Sequence, residues 1–166
     1  MSWTIGRLFK KINENNDGGG EMKNAFDIVK ENGDWRKFEK EIEHHYHSEK
    51  IQRKHIRDMK KFLSELQVPE EWKIEFDYYT ELFFYDVFID LVVENEKNEN
   101  ILYLGIELDE RENKAVFLIH DIIIHLNNYK IELESEASER DKGKIDFTKL
   151  ISKREEFKKL IEEVMK

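Results

Sequence analysis

The sequence predicts an α+β domain, a β-sheet in the middle third of the chain flanked by charged helices. Three features point there. Apolar residues recur at helical spacing through 22–66, apolar and polar residues alternate through 71–109, and an amphipathic pattern returns over 146–165. The 166 residues suit one domain with a real core, taken as 22–166. A basic segment and a Gly-rich linker, 1–21, precede it.

The stretch SWTIGRLFKKI at 2–12 is short, basic and amphipathic, read as a docked or frayed terminus. NENNDGGGE at 13–21 is a linker by composition. Met22 follows Gly-Gly-Glu, which an in-frame ribosome-binding site would encode, so Met22 is a candidate alternative start. Ala25, Phe26, Ile28 and Val29 make a short helix ending near Asn32-Gly33. Trp35, Phe38, Ile42 and Tyr46 continue at helical spacing, as do Ile51, Ile56, Met59, Phe62, Leu63 and Leu66. The phase slips between Tyr46 and Ile51, predicting a break near His47-Ser48. Pro69 closes the helical region.

Trp72, Ile74, Phe76 and Tyr78 alternate with polar neighbours, as in a half-buried strand. A second strand lies within Leu82–Val93 and a third over Ile101–Asp109. Residues 114–129 (KAVFLIHDIIIHLNNY) read as a buried helix with Asn113 as N-cap, although Ile122-Ile123-Ile124 also suits a strand. KIELE at 130–134 is a last strand, and Asp146 caps a final amphipathic helix.

Charged residues make up 39% of the chain and the net charge is −9, which opposes broad nucleic-acid coating. Without cysteine there is no disulfide, thiolate zinc site or thiol nucleophile. No bilayer-spanning stretch or secretory signal is visible, so a cytoplasmic chain is expected. His44, His45, His47 and His55 read as a solvated helix face, and His120 and His125 as structural. No phosphate-binding Gly-rich loop or nucleophile elbow occurs.

The strongest chemical signal is acidic. If Tyr85, Val87, Ile89, Leu91 and Val93 share the core face with Leu102, Leu104, Ile106 and Leu108, the opposite face collects Asp86, Asp90, Glu107 and Asp109. A hairpin loop at Lys97–Asn100 would set Asp90 directly opposite Glu107. Opposed like charges destabilise a sheet unless a divalent cation, a basic neighbour or a raised pKa compensates.

The order helix, three strands, helix, strand resembles the PD-(D/E)XK nuclease core over roughly residues 50–135. Asp90 in YDVFIDLVV and Glu107 in LGIELDE stand where that family places its acidic residues, and Glu65 where it often places a helix glutamate. The resemblance implies a restriction-endonuclease-like core with extra N- and C-terminal helices. It implies Mg²⁺ or Mn²⁺ held by Asp90, Glu107 and Asp109, with Asp86 and Glu65 nearby. The family's lysine position is Asp109 here, so Lys114 or Lys73 would have to orient or deprotonate the attacking water. The basic run RKHIRDMKK offers Arg53, Lys54, Arg57, Lys60 and Lys61 to nucleic acid.

The missing lysine and the negative charge favour one function over the others. It is an acidic inhibitor, immunity or phage anti-defence protein on a catalytically degenerate nuclease-like core. Its partner would be a basic nuclease or nucleic-acid-binding protein. The small size and AT-rich style suggest a mobile-element setting. The alternatives are an active metal-dependent phosphodiesterase, and a homodimeric structural or regulatory module using 35–66 and 146–165 as its interface.

Overall fold

Asn24 sits in extended backbone, and its side chain accepts a hydrogen bond from the Asp27 N–H at 2.9 Å, so a helix begins just after it. In the computed structural model, which describes residues 21–80, 86–126 and 129–134, this is α1 (Ala25–Glu31). Gly33, at φ +87°, turns the chain into α2 (Asp34–His45). The expected break near His47-Ser48 is present. Ser48 caps α3 (Glu49–Glu65) by accepting from the Ile51 N–H at 3.4 Å. Two short strands, β1 (Met22–Asn24) and β2 (Gln67–Pro69), pair antiparallel and tie the ends of the helical layer together.

The sheet follows as β3 (Lys73–Thr80), β4 (Val87–Glu94), β5 (Asn100–Arg111), β6 (Lys114–Leu126) and β7 (Tyr129–Glu134). Each strand lies antiparallel beside its predecessor, so the sheet is a five-stranded meander. The fold is α+β, as the sequence predicts. The expected helix over 114–129 is instead a strand. Glu112 and Asn113, at φ 52° and 63°, form a tight two-residue turn between Arg111 and Lys114, so Asn113 is a turn residue and no helix cap. A bulge then falls at His120, because Ile106 pairs with Ile119 while Gly105 pairs with Asp121. It keeps Phe117, Ile119, Ile122 and Ile124 on one face despite their uneven spacing.

The helices cover one face of the sheet. Val87, Ile89, Leu91, Val93, Leu102, Leu104, Ile106 and Leu108 are buried there, as alternation predicts, against Phe38, Ile42, Met59 and Leu63. Phe38 meets Phe76 edge-on at 5.4 Å, Phe62 meets Phe117 at 5.7 Å, and the Tyr46 hydroxyl donates to the Leu108 carbonyl at 2.9 Å. The opposite, outer face carries Asp77, Phe88, Asp90, Tyr103, Glu107, Asp109, Leu118 and Asp121 by the same alternation.

The β4–β5 register corrects a second expectation. The Asn95 side chain accepts from the N–H groups of Lys97 and Glu99 at 3.0 and 2.9 Å, and Asn98 sits at φ 62°. The loop is therefore Asn95–Glu99, and Ile101 bulges between the pairs Glu94–Asn100 and Val93–Leu102. The ladder slides by two residues, so Asp90 faces Gly105 and Phe88 faces Glu107. The 2–12 segment, most of the linker, Tyr85 and the helix expected over 146–165 lie outside the described residues.

Candidate metal centre

The middle of β5, Leu104 to Asp109, is buried on both faces, so its outward-pointing Glu107 and Asp109 are only 7% and 8% exposed. Asp86, immediately before β4, comes opposite Asp109 if the β4–β5 ladder is continued by one pair. One carboxylate oxygen from each of Asp86, Glu107 and Asp109 lies within 4.8 Å of the others. Strand alternation and register alone bring the three together.

Three carboxyl groups this close do not all ionise. Burial, then a hydrogen bond to Asp109 and the charges of Glu107 and Asp109, push the Asp86 carboxyl up to about 8. Burial pushes Asp109 upward too. Hydrogen bonds from Asp86, from the Arg111 guanidinium and from the Glu110 N–H outweigh it and hold Asp109 below its usual value. Arg111 Nε and the Glu110 N–H both reach Asp109 at 2.7 Å. The proton thus resides on Asp86 and is shared with an ionised Asp109.

Behind the cluster, Tyr46 is held in its phenol form by burial and by the charges of Asp109 and Asp86. Its ring lies 4.7 Å from that of His55. His55 is no solvated residue. It is wholly buried, neither ring nitrogen has a hydrogen-bond partner, and burial pulls its pKa down to about 4. The α2–α3 break turns α3 so that His55, Met59 and Leu63 share its buried face. His44 and His47 are exposed as expected.

Asp90 lies one row from the cluster, diagonal to Glu107, and accepts from the Tyr103 hydroxyl at 2.8 Å. Its row crosses the sheet as Asp77, Asp90, Gly105 and Asp121. A Cβ on Gly105 would stand 3.3 Å from both Asp121 Oδ2 and the Tyr103 hydroxyl, so a side chain there requires both to give by a few tenths of an ångström. Lys114, at the β5–β6 turn, is one step diagonal from Asp109, whose partner is Val116. Lys73 pairs with Glu94 at the far end, roughly 24 Å along β3 from Thr80. Glu65 is exposed at the last turn of α3, about 15 Å beyond His55, and does not join the carboxylates.

The basic residues of α3 are partly engaged by acidic and aromatic neighbours. Arg53 pairs with Glu49 at 2.8 Å, Lys54 with Asp58 at 2.7 Å, and Lys60 sits 5.1 Å from the Phe26 ring centroid. Arg53 and Arg57 line an open groove with Glu49 and Lys50, while Lys61 is exposed. Sequence reasoning gave no site role to Asp77, Asp121 or Tyr103, read Tyr46 only as part of the helical apolar row, and placed the buried His55 on a solvated face. The alternation of β3 places Asp77 on the acidic face, whereas Asp121 is hidden by the His120 bulge.

The chain matches no protein-family model, and gives no significant match among curated proteins or solved structures. Three hard oxygen donors, two of them buried and one forced to keep a proton, suit Mg²⁺ or Mn²⁺ better than any softer metal. No described helix is long and apolar enough to cross a membrane.

Proposed function

We propose that this protein binds a divalent cation, Mg²⁺ or Mn²⁺, through Asp86, Glu107 and Asp109, and uses the site in phosphodiester hydrolysis. The observation that carries it is the convergence of three carboxylate oxygens within 4.8 Å around two buried acids. Like charges packed so closely are costly in the free protein, and a dication is the natural compensator. When bound, the cation supplies polarisation of a phosphate oxygen and a water of lowered pKa.

The chain's own residues supply the rest. Glu107 and Asp109 are held by the β5 ladder, so they are fixed in place before any ligand arrives. Asp86 gives up its proton on loading. Arg111 and Lys114 stand beside Asp109 and offer positive charge to a phosphate. Lys114 is the nearer of the two lysines expected to stand in for the family's missing one. A strand occupies the place of the family's second helix, so support for the nuclease-like reading comes from site chemistry rather than from element order.

A second reading keeps the acidic face as a docking surface for a basic protein. Residues 67–134 hold seventeen acidic and five basic side chains, whereas 22–66 hold nine and eleven. The Asp77–Asp90–Asp121 row lies outside the carboxylate triad and fits such a partner. Isothermal titration of Mg²⁺ and Mn²⁺ into wild type and Glu107→Ala separates the two. Binding that disappears in the variant supports the metal site and leads to cleavage assays on single- and double-stranded DNA. No heat in either protein sinks the metal reading and leaves the acidic surface.

A further inference from the structure

Leu118 is 1% exposed, yet it stands apart from the contiguous core cluster that includes its neighbour Ile119 and against which Phe117 packs. Its partner is Glu107, so it points to the outer face, away from the three helices. Glu107 and Asp109 on the same face are also buried, and Phe88, Val116 and Ile123 are half-buried. A wetted sheet face would leave these side chains exposed. Among the described residues, the three helices pack on the other side.

We propose that the segment 142–161 of this same chain docks on the outer face of the sheet, over Leu118, with its basic residues toward the carboxylates. Position favours it. β7 is the edge strand next to β6 and ends at Glu134 opposite Asp121, running toward the Leu118 end of the sheet. The seven residues 135–141 span up to roughly 24 Å, enough to fold back across the face. Composition favours it as well. Residues 142–161 hold seven basic and three acidic side chains, the reverse of the sheet they follow. Phe147, Leu150, Ile151, Phe157, Leu160 and Ile161 give them an apolar side at helical spacing. Apolar contact with Leu118 and Phe88, and charge complementarity with Asp90, Glu107 and Asp121, would then act together.

This goes beyond the metal reading without depending on it. The test uses the full chain. A benzophenone-bearing amino acid is placed at Val116 or at Ile123, the half-buried positions on either side of Leu118, and irradiated, and the crosslinked peptides are mapped by mass spectrometry. Crosslinks within one chain to 142–161 are expected at both positions. Crosslinks to 1–20, 22–66 or 81–85, crosslinks between two chains, or none at all would each overturn the proposal. As a second measurement, the thiol of Leu118→Cys should resist labelling in the full chain. Adding Ile151→Asp and Leu160→Asp should expose it at least tenfold, while a control Leu91→Cys in the helix-side core stays protected. Equal protection of Leu118→Cys with and without those changes would also overturn it.

Discussion

Asp86→Asn removes the one charge that the carboxylate cluster resists, while keeping a hydrogen-bond donor toward Asp109. In the wild type, burial first, then the hydrogen bond to Asp109 and the neighbouring charges, raise the Asp86 carboxyl from 3.8 to about 8. The folded protein therefore holds this proton more tightly than the unfolded chain does. The stability it contributes is complete below pH 3.8 and is lost as pH rises through about 8. One such proton gives a slope of at most about 1.4 kcal/mol per pH unit. Asp86 is only half-buried, so screening trims the total to on the order of 2–3 kcal/mol. Asparagine has no proton to lose. In metal-free protein the variant should match the wild type near pH 4 and exceed it by about 2 kcal/mol at pH 8. Urea unfolding across that range, after chelation, measures the difference. With Mn²⁺ present at pH 8 the order should reverse, because only the wild type binds it. Parallel stability profiles for the two proteins would mean that Asp86 titrates as an ordinary solvated carboxyl, and the cluster would lose its special standing.

Three further outcomes follow from particular contacts. His55→Leu should stabilise the protein by about 1–2 kcal/mol in thermal unfolding, since the imidazole is buried with both nitrogens unpartnered. Burial lowers its folded pKa from 6.5 to about 4, so wild-type stability falls as pH drops through that window, and the variant's profile should be flatter there. Tyr46→Phe, which removes the hydroxyl that donates to the Leu108 carbonyl at 2.9 Å, should cost about 1 kcal/mol in denaturant titration. Gly105→Val should cost about 1–3 kcal/mol by displacing Asp121 and Tyr103, while Mn²⁺ affinity in calorimetry stays within a few-fold because the triad lies one row away.

The helical layer was legible because its signals are local. Apolar spacing marks the rows, Asn32-Gly33 ends the first helix, and the phase slip after Tyr46 marks the break. The rows of β4 and β5 were equally plain, since strict alternation over eight residues has no rival reading. What misled was interruption of that alternation. The bulge at His120 converts a spacing of two into one of three between Ile119 and Ile122, and three-residue steps between apolar side chains mimic a helix face. Register was hidden for a similar reason. The loop over Asn95–Glu99 and the extra residue at Ile101 leave no mark in composition, yet together they set Asp90 opposite Gly105 rather than Glu107. The acidic face was readable from parity alone, while the membership of the triad depended on an offset of two residues.

The meander carries a consequence for how the chain acquires its structure. Every strand from β4 to β7 pairs with the strand made just before it, through connections of a few residues. Contacts so close in sequence cost little loop-closure entropy, which favours rapid zippering over a slow search. On a ribosome, each hairpin is free to close as soon as its second arm emerges. The contacts that must wait for distant partners include the clasp between Met22 and Pro69, the ring contact of Phe62 with Phe117, and the Tyr46 hydroxyl reaching Leu108 across sixty-two residues. The helical layer would therefore be complete before the sheet exists, and the growing sheet would have a ready apolar surface on which to assemble strand by strand.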